Sequence, residues 1–151
     1  MCFDIEEIKM ILKQWIGIAI ILSSFAFGAD ETFAKAYGYE TSYKEAQVKA
    51  IQANKPMMIL FVTASCPWCQ KLENQTLKKE SIVKLIQTHF VPVFLDKETD
   101  DFPKALTPMV VPTIVFLTPK EGTKFDEIIG YKPADEFLSL LERIIKKKVK
   151  S

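Results

Sequence analysis

Two short runs of apolar residues constrain the fold of this chain more than any other feature of its sequence. They are MMILFVT at 57–63 and FVPVFLD at 90–96. The first has no charged residue, and the second has only its last residue, Asp96. Runs of this length and composition are typical of strands that are covered on both faces, as in a parallel sheet. Parallel neighbours need a long crossover connection, and the residues between the two runs have helical character. The sequence therefore predicts a strand–helix–strand unit.

The segments on either side of this unit complete a mixed pattern. Ser42 and Glu45 have the spacing of a capping box, which favours a helix start at Ser42. Pro119 and Gly122 separate the last two apolar runs and favour a hairpin between them. The predicted elements are a helix at 42–53, a strand at 57–63, one or two helices from 66 to 89, a strand at 90–96, a polar loop with a short helical turn at 97–107, strands at 111–118 and 123–129, and a helix at 133–148. We therefore expect an α/β domain with a mixed four-stranded sheet between helical layers.

Length and composition fit one such domain. The chain has 151 residues, of which 48% are hydrophobic, and a formal net charge of +1. This balance excludes an intrinsically disordered chain, and it lacks the basic excess that is typical of nucleic-acid binding. Lys146, Lys147 and Lys148 come in the last predicted helical turn, where the helix dipole favours cations. A basic patch for a membrane or a polyanion is the alternative.

The first residues have the pattern of a secretory signal peptide. Residues 15–27 carry no charge, two lysines precede them, and small residues follow. We predict a signal peptide at 1–28 with cleavage near Gly28, and Met10 is an alternative start. An uncleaved anchor is the other hypothesis, although the apolar run is shorter than the roughly 20 residues that span a bilayer.

Cleavage at this position has consequences for the rest of the chain. Residues 29–40 are expected to form a tether, and residues 41–150 a single domain. Cys2 is lost with the signal peptide, which leaves one cysteine pair. We expect the protein to be periplasmic or otherwise extracytoplasmic.

The chemistry of the domain is expected at Cys66-Pro67-Trp68-Cys69. Two cysteines at positions i and i+3 of a first helical turn lie on one face, about 5–6 Å apart, which suits a disulfide. The unpaired N–H groups and the dipole at the helix start are expected to lower the pKa of the Cys66 thiol. Cys69 lies one turn deeper and can attack a mixed disulfide on Cys66. The pair therefore predicts a nucleophile and a resolving thiol for thiol–disulfide exchange.

Three other roles for the cysteine pair fit the sequence less well. A structural disulfide across two intervening residues closes a short loop and stabilises little. A zinc site needs about four ligands, and the exported chain offers only His89 besides the two thiols. Haem attachment needs His directly after the second cysteine, where this chain has Gln70. The redox interpretation requires no metal and no cofactor.

A second motif makes the pattern specific. Val111-Pro112-Thr113 opens a later strand, and together with the strand–CPWC–helix it resembles the thioredoxin superfamily over residues 40–148. CPWCQKLENQTL and SIVKLIQTHFVPVFLD are similar to exported thioredoxin-like proteins, including the C-terminal domain of the membrane thiol:disulfide interchange reductase. This resemblance implies that Pro112 is cis, lies beside Cys66 and presents the backbone of Val111 to a substrate. A trans proline at the start of an edge strand is the alternative.

Two positions depart from the cytosolic thioredoxins. Ser65 precedes the first cysteine, where those proteins have Trp. Leu60 stands six residues before the first cysteine, where they carry a buried Asp that handles the proton of the resolving thiol. Glu73, one turn after Cys69, matches an acidic residue of the reductase domains, and we expect it to point back toward the thiols and act as the base. A solvated glutamate, with water as the base, is the alternative.

The sequence thus predicts an exported thiol:disulfide oxidoreductase. The expected catalytic residues are Cys66, Cys69 and Glu73, and the expected substrate-binding residues are Trp68, Val111 and Pro112. Trp68 is expected to cover the sulfurs and touch substrates, and simple capping of the surface is the alternative. The substrates are expected to be disulfides of exported proteins, with electrons from a membrane or exported thiol donor. A disulfide oxidant or isomerase is the alternative within this class, and a non-catalytic binding module with the same fold is the alternative outside it.

Overall fold

The computed structural model describes residues 31–149, so the predicted signal peptide lies outside the described residues. The helices are α1 (Glu31–Ala36), α2 (Tyr43–Ala53), α3 (Pro67–Leu72), α4 (Glu80–His89) and α5 (Ala134–Val149), and the strands are β1 (Met57–Val62), β2 (Val91–Asp96), β3 (Thr113–Leu117) and β4 (Lys124–Ile129). A π-helical turn at Glu73–Leu77 follows α3 directly, and a 3-10 turn lies at Lys104–Leu106. None of the described helices is long and apolar enough to cross a membrane.

The four strands form one mixed sheet in the order β2-β1-β3-β4. β1 pairs with β2 in parallel, with Met57 opposite Val91. β3 is antiparallel to β1, and β4 is antiparallel to β3. The predicted mixed four-stranded α/β sheet is confirmed, because a buried parallel pair and a hairpin strand are both present.

β1 lies at the centre of the core, and all six of its side chains are buried. Alternate residues point to opposite faces of the sheet, so the strand contributes to two separate apolar clusters. One cluster holds Met58, Leu60 and Val62, and it is covered by α1, α3, α4 and α5. The other holds Met57, Ile59 and Phe61 and is covered by α2. The sheet therefore lies between helical layers, as predicted.

The capping signal at Ser42 acts as the sequence indicates. Ser42 is the N-cap of α2, and its hydroxyl oxygen accepts a hydrogen bond from the N–H of Glu45 at 3.4 Å. At the other end, Asn54 adopts a left-handed conformation, and its N–H and that of Lys55 bond to the last carbonyls of the helix. Asn is one of the residues that tolerate this conformation at a helix end.

Residues 31–40 are folded, whereas the sequence predicts a tether over 29–40. Ala34 and the aromatic rings of Phe33 and Tyr39 are buried in the same cluster as β1. Glu40 adds a bridge to the edge of β2, where its N–H donates to the carbonyl of Pro92 at 2.9 Å. Burial of these aromatic rings is favourable enough to order a short segment. A helix of six residues is not stable by itself, so the local sequence pattern does not predict it.

Phe33→Ala tests whether α1 belongs to the folded domain. The ring centroid of Phe33 lies 5.0, 5.3 and 5.9 Å from those of Tyr37, Tyr39 and Phe94. We expect the substitution to lower the free energy of unfolding by about 3 kcal/mol, measured by urea denaturation, because it leaves a cavity among these rings. Val48→Ala on the exposed face of α2 is the control, with an expected change below about 0.5 kcal/mol. Equal stability of the Phe33→Ala protein and its parent would support a tether instead.

Candidate active site

The cysteine pair lies at the carboxyl edge of β1. This strand ends at Val62, and a short turn leads to Cys66 at the start of α3. β3 is antiparallel to β1, with Thr113 opposite Phe61, so the loop before β3 reaches the same edge. Val111, in that loop, packs against the cluster that contains both cysteines. The sheet topology therefore brings together two motifs that are distant in sequence.

Cys66 and Cys69 form a disulfide, with Cα atoms 5.2 Å apart, as the spacing predicts. Cys66 has extended backbone geometry and is the N-cap of α3, with Pro67 in the first turn. Its Sγ accepts a hydrogen bond from the N–H of Cys69 at 3.1 Å, and its carbonyl accepts from the N–H groups of Cys69 and Gln70. A backbone N–H aimed at sulfur favours a thiolate there once the disulfide is reduced.

The two sulfurs differ in access. Cys66 is 7% exposed and Cys69 is 2% exposed. Cys69 lies one turn inside the helix, against the apolar cluster that includes Leu60 and Leu72. An incoming reactant therefore reaches Cys66 before Cys69.

Glu73 is buried one helical turn after Cys69. It begins the π-helical turn, where the N–H of Lys78 donates to the carbonyl of Glu73 at 3.2 Å. Positions 69 and 73 lie one above the other on a helix, so Glu73 shares the face of Cys69. The side chain of Glu73 is only 8% exposed. Glu73 is therefore not a solvated surface residue, and its role as the base stays a prediction.

Tyr39 is a site residue that the sequence analysis missed, because it lies in the segment expected to be a tether. It belongs to the same buried cluster as Cys69. Its hydroxyl is buried and has no hydrogen-bond partner among residues 31–149. Burial, and then the negative charge of Glu73, raise the pKa of Tyr39 above its ordinary value. Tyr39 is therefore a neutral phenol, and the charge of Glu73 opposes its ionisation.

The loop before β3 is held from both sides. The Val111–Pro112 peptide bond is cis. The Thr113 hydroxyl donates to the carbonyl of Val110 at 2.8 Å, and the N–H of Gly130 donates to the carbonyl of Pro112 at 2.8 Å. β3 begins at Thr113, two residues later than predicted, so Val111 and Pro112 precede the strand.

Trp68 is 56% exposed and lies next to a lysine and a tyrosine. Its ring centroid is 5.9 Å from that of Tyr131. The Nζ atom of Lys71 lies 4.8 Å from the Trp68 centroid and 4.6 Å from the Tyr131 centroid. The sequence spacing of Trp68 and Lys71 on one helix could have indicated their contact, whereas Tyr131 follows β4 and is distant from both in sequence.

Apolar side chains are also exposed on the loop that leads to Pro112. Met109 is 96% exposed, and Val110 is exposed as well. A groove of about 270 Å³ lies beside them and is lined by Leu106, Thr113 and Ile129, among others. Contiguous exposed apolar surface is typical of binding sites, and this loop is a candidate for one.

The same domain is found in known proteins. Residues 43–145 match the family model of the thioredoxin-like domain. The human anterior gradient protein 2 homolog is 32% identical over 123 residues, which cover 73% of this chain and 69% of that protein. A thioredoxin from Thermus thermophilus has a TM-score of 0.62 and 26% identity, over 70% of this chain and 85% of its own.

The predicted likeness to reductase domains is confirmed at the level of the fold. The oxidised C-terminal domain of DsbD from Neisseria meningitidis has a TM-score of 0.56 and 17% identity, over 69% of this chain and 97% of its own. The family match spans most of the described domain, including both cysteines and Pro112. This chain therefore belongs to the thioredoxin-like family.

Proposed function

We propose that this protein is an exported thiol:disulfide oxidoreductase that reduces disulfides of exported proteins. The observation that carries the proposal is the Cys66–Cys69 disulfide at the start of α3, with a backbone N–H at 3.1 Å from the more accessible sulfur. This arrangement favours one sulfur as an attacking thiolate and leaves the other as an internal resolving group.

The first step is attack by Cys66 in the reduced protein. Its thiolate forms a bond to one sulfur of the substrate disulfide, and the other substrate sulfur leaves as a thiolate. The N–H of Cys69 stabilises the negative charge of Cys66 before the attack. The product of this step is a mixed disulfide between Cys66 and the substrate.

The second step is resolution by Cys69. Its thiol gives a proton to Glu73, and the resulting thiolate attacks the Cys66 sulfur, which releases the second substrate thiolate. The substrate has then gained two electrons, and the protein carries the Cys66–Cys69 disulfide. Burial of Glu73 on the face of Cys69 supports this role, and an external membrane or exported thiol donor must then reduce the disulfide.

Substrate binding is assigned to the surface around the sulfurs. The backbone of Val111, next to the cis bond to Pro112, would pair with an extended substrate segment as a short strand. Trp68 in the CPWC motif and Met109, three residues before Pro112, are both exposed and apolar. A surface of this kind fits a protein segment better than an isolated small molecule.

The direction of electron flow follows from the reduction potential. The resemblance to reductase domains favours reduction, and we expect a Cys66–Cys69 potential of roughly −200 to −270 mV in glutathione buffers. A value near roughly −120 mV would support the alternative, a disulfide oxidant. The location outside the cytoplasm rests on the predicted signal peptide at 1–28.

Substitution of each cysteine tests the division of roles and the enzyme hypothesis together. We expect Cys69→Ser to accumulate mixed disulfides with oxidised insulin, because Cys66 attacks and nothing resolves the product. Cys66→Ser should accumulate none. Non-reducing gels and mass spectrometry measure both. If the unsubstituted protein does not accelerate insulin reduction by dithiothreitol, the chain is a non-catalytic binding module; equal trapping by the two variants contradicts the assignment of Cys66.

Glu73→Gln tests the proposed base while keeping the shape of the side chain. We expect the resolving step to slow by about tenfold near neutral pH, at the low end of a general-base contribution. The remaining rate should rise with pH toward the ordinary thiol pKa of about 8.5, because Cys69 must then ionise without the carboxylate. Stopped-flow measurement of mixed-disulfide decay gives the rate and its pH profile.

The matched control for this variant is Glu142→Gln on the exposed face of α5, which also removes one carboxylate. Its resolving rate should equal that of the parent. Attack by Cys66 on a small disulfide should change little in either variant. An unchanged resolving rate and pH profile in Glu73→Gln would show that water, and not Glu73, takes the proton.

A further inference from the structure

Three side chains form a connected group beside the disulfide, here called the lysine–aromatic cluster: Trp68, Lys71 and Tyr131. The Lys71 ammonium lies within 5 Å of both ring centroids, at 4.8 and 4.6 Å. Each contact falls within the range of a cation–π interaction. The two rings therefore hold one positive charge at a defined place next to Cys66-Pro67-Trp68-Cys69.

Hydrogen bonds fix the cluster to both halves of the site. The Tyr131 hydroxyl donates to Oε1 of Gln75 at 3.0 Å. Gly130, directly before Tyr131, donates its N–H to the carbonyl of Pro112 at 2.8 Å. Gly130 has a φ of 76°, a backbone conformation that residues other than glycine rarely adopt. This conformation lets the chain turn from β4 toward Trp68. The cluster thus joins the cysteine-bearing helix to the cis-proline loop.

The charge of Lys71 is not neutralised by an ion pair within residues 31–149. Other lysines of the domain have carboxylate partners, such as Lys132 with Glu136 at 3.1 Å and Lys49 with Glu40 at 2.7 Å. A long lysine side chain normally loses conformational freedom when it meets a partner, which weakens surface ion pairs. The two rings already restrict Lys71, so less freedom remains to be lost when a carboxylate approaches.

We propose that the lysine–aromatic cluster is a specificity determinant, and that it favours protein disulfides in which an acidic residue and an apolar residue flank the cysteine that Cys66 attacks. The exposed face of the Trp68 ring receives the apolar side chain, and the Lys71 ammonium receives the carboxylate. This inference rests on the proposed reductase function and names the class of substrate for it.

Two cyclic peptides, each closed by a single disulfide, test this preference. In both peptides, leucine lies on one side of a cysteine. The residue on the other side of that cysteine is glutamate in one peptide and glutamine in the other, and the sequences are otherwise identical. We expect the full-length protein, kept reduced by dithiothreitol, to reduce the glutamate peptide with about two- to fivefold higher kcat/KM, as an exposed ion pair allows. The rates with dithiothreitol alone correct for intrinsic reactivity. The preference should shrink as the salt concentration rises.

Three variants test whether the charge of Lys71 causes the preference for the glutamate peptide. Lys71→Gln should remove it, and Lys71→Arg should retain it, because arginine keeps both the charge and the stacking on rings. Lys146→Gln is the control for loss of one positive charge. Lys146 is exposed near the end of α5, next to Lys147, whose Nζ atom bonds to the carbonyl of Phe125 at the sheet edge far from the cysteines. It should retain the full preference.

Tryptophan fluorescence shows whether a substitution of Lys71 also changes the surroundings of Trp68. The full-length chain used in these assays retains Trp15, so Trp15→Phe leaves Trp68 as its only tryptophan. In this background, Lys71→Gln should change the Trp68 emission, and Lys71→Arg should change it less, since the ring keeps a cation over its face. An equal loss of rate with both peptides in Lys71→Gln would show that the lysine only positions the ring, which overturns the proposed charge recognition.

The same assay distinguishes the two proposals. If the unsubstituted protein reduces both peptides equally well, the inference about Lys71 is wrong and the reductase function stands. If it reduces neither peptide, the reductase function and the inference fail together.

Discussion

β1 is buried along its whole length between two apolar clusters, and it hydrogen-bonds to β2 on one side and to β3 on the other. A strand with neighbours on both edges and both faces has little freedom to shift, because any slip in register would move its whole apolar set. The chain leaves this strand at Val62 and reaches Cys66 four residues later. The position of the nucleophile is therefore fixed by the packing of the sheet, and the cis-proline loop is fixed by the same pairing of β1 with β3.

Close to the resolving sulfur, the buried carboxyl group comes from a helical turn and not from β1. Leu60 on β1 is fully buried and apolar. Glu73 is supplied instead by the π-helical turn, and the Tyr39 hydroxyl lies close enough to feel its charge. A carboxyl group in an apolar setting is costly when ionised, and the negative charge of Glu73 in turn opposes ionisation of the buried Tyr39 phenol. The acid–base chemistry assigned to a strand residue in cytosolic thioredoxins is thus proposed here for a residue on the helix.

The sheet and the cysteine pair could be predicted from the sequence because local patterns determine them. An unbroken apolar run specifies a buried strand, and CPWC specifies its own spacing on a helix. The packing of α1 against Phe94 and the contact of Tyr131 with Trp68 could not be predicted, since both depend on residues that are distant in sequence. The π-helical turn could not be predicted either. It adds one residue to a helical turn and so changes which side chains face inward, but it leaves the apolar pattern of the sequence unaltered.

The active-site helix is short, and its position depends on contacts outside itself. α3 has six residues, and isolated helices of this length are not stable in water. The Thr76 hydroxyl bonds to the carbonyl of Lys132 at 2.7 Å, and the Tyr131 hydroxyl bonds to Gln75, so the segment after β4 holds the end of the helical region. The same segment bonds to Pro112 through Gly130. One segment therefore holds both the helical region that bears the sulfurs and the loop proposed to bind substrate, and these hydrogen bonds restrain the position of one relative to the other.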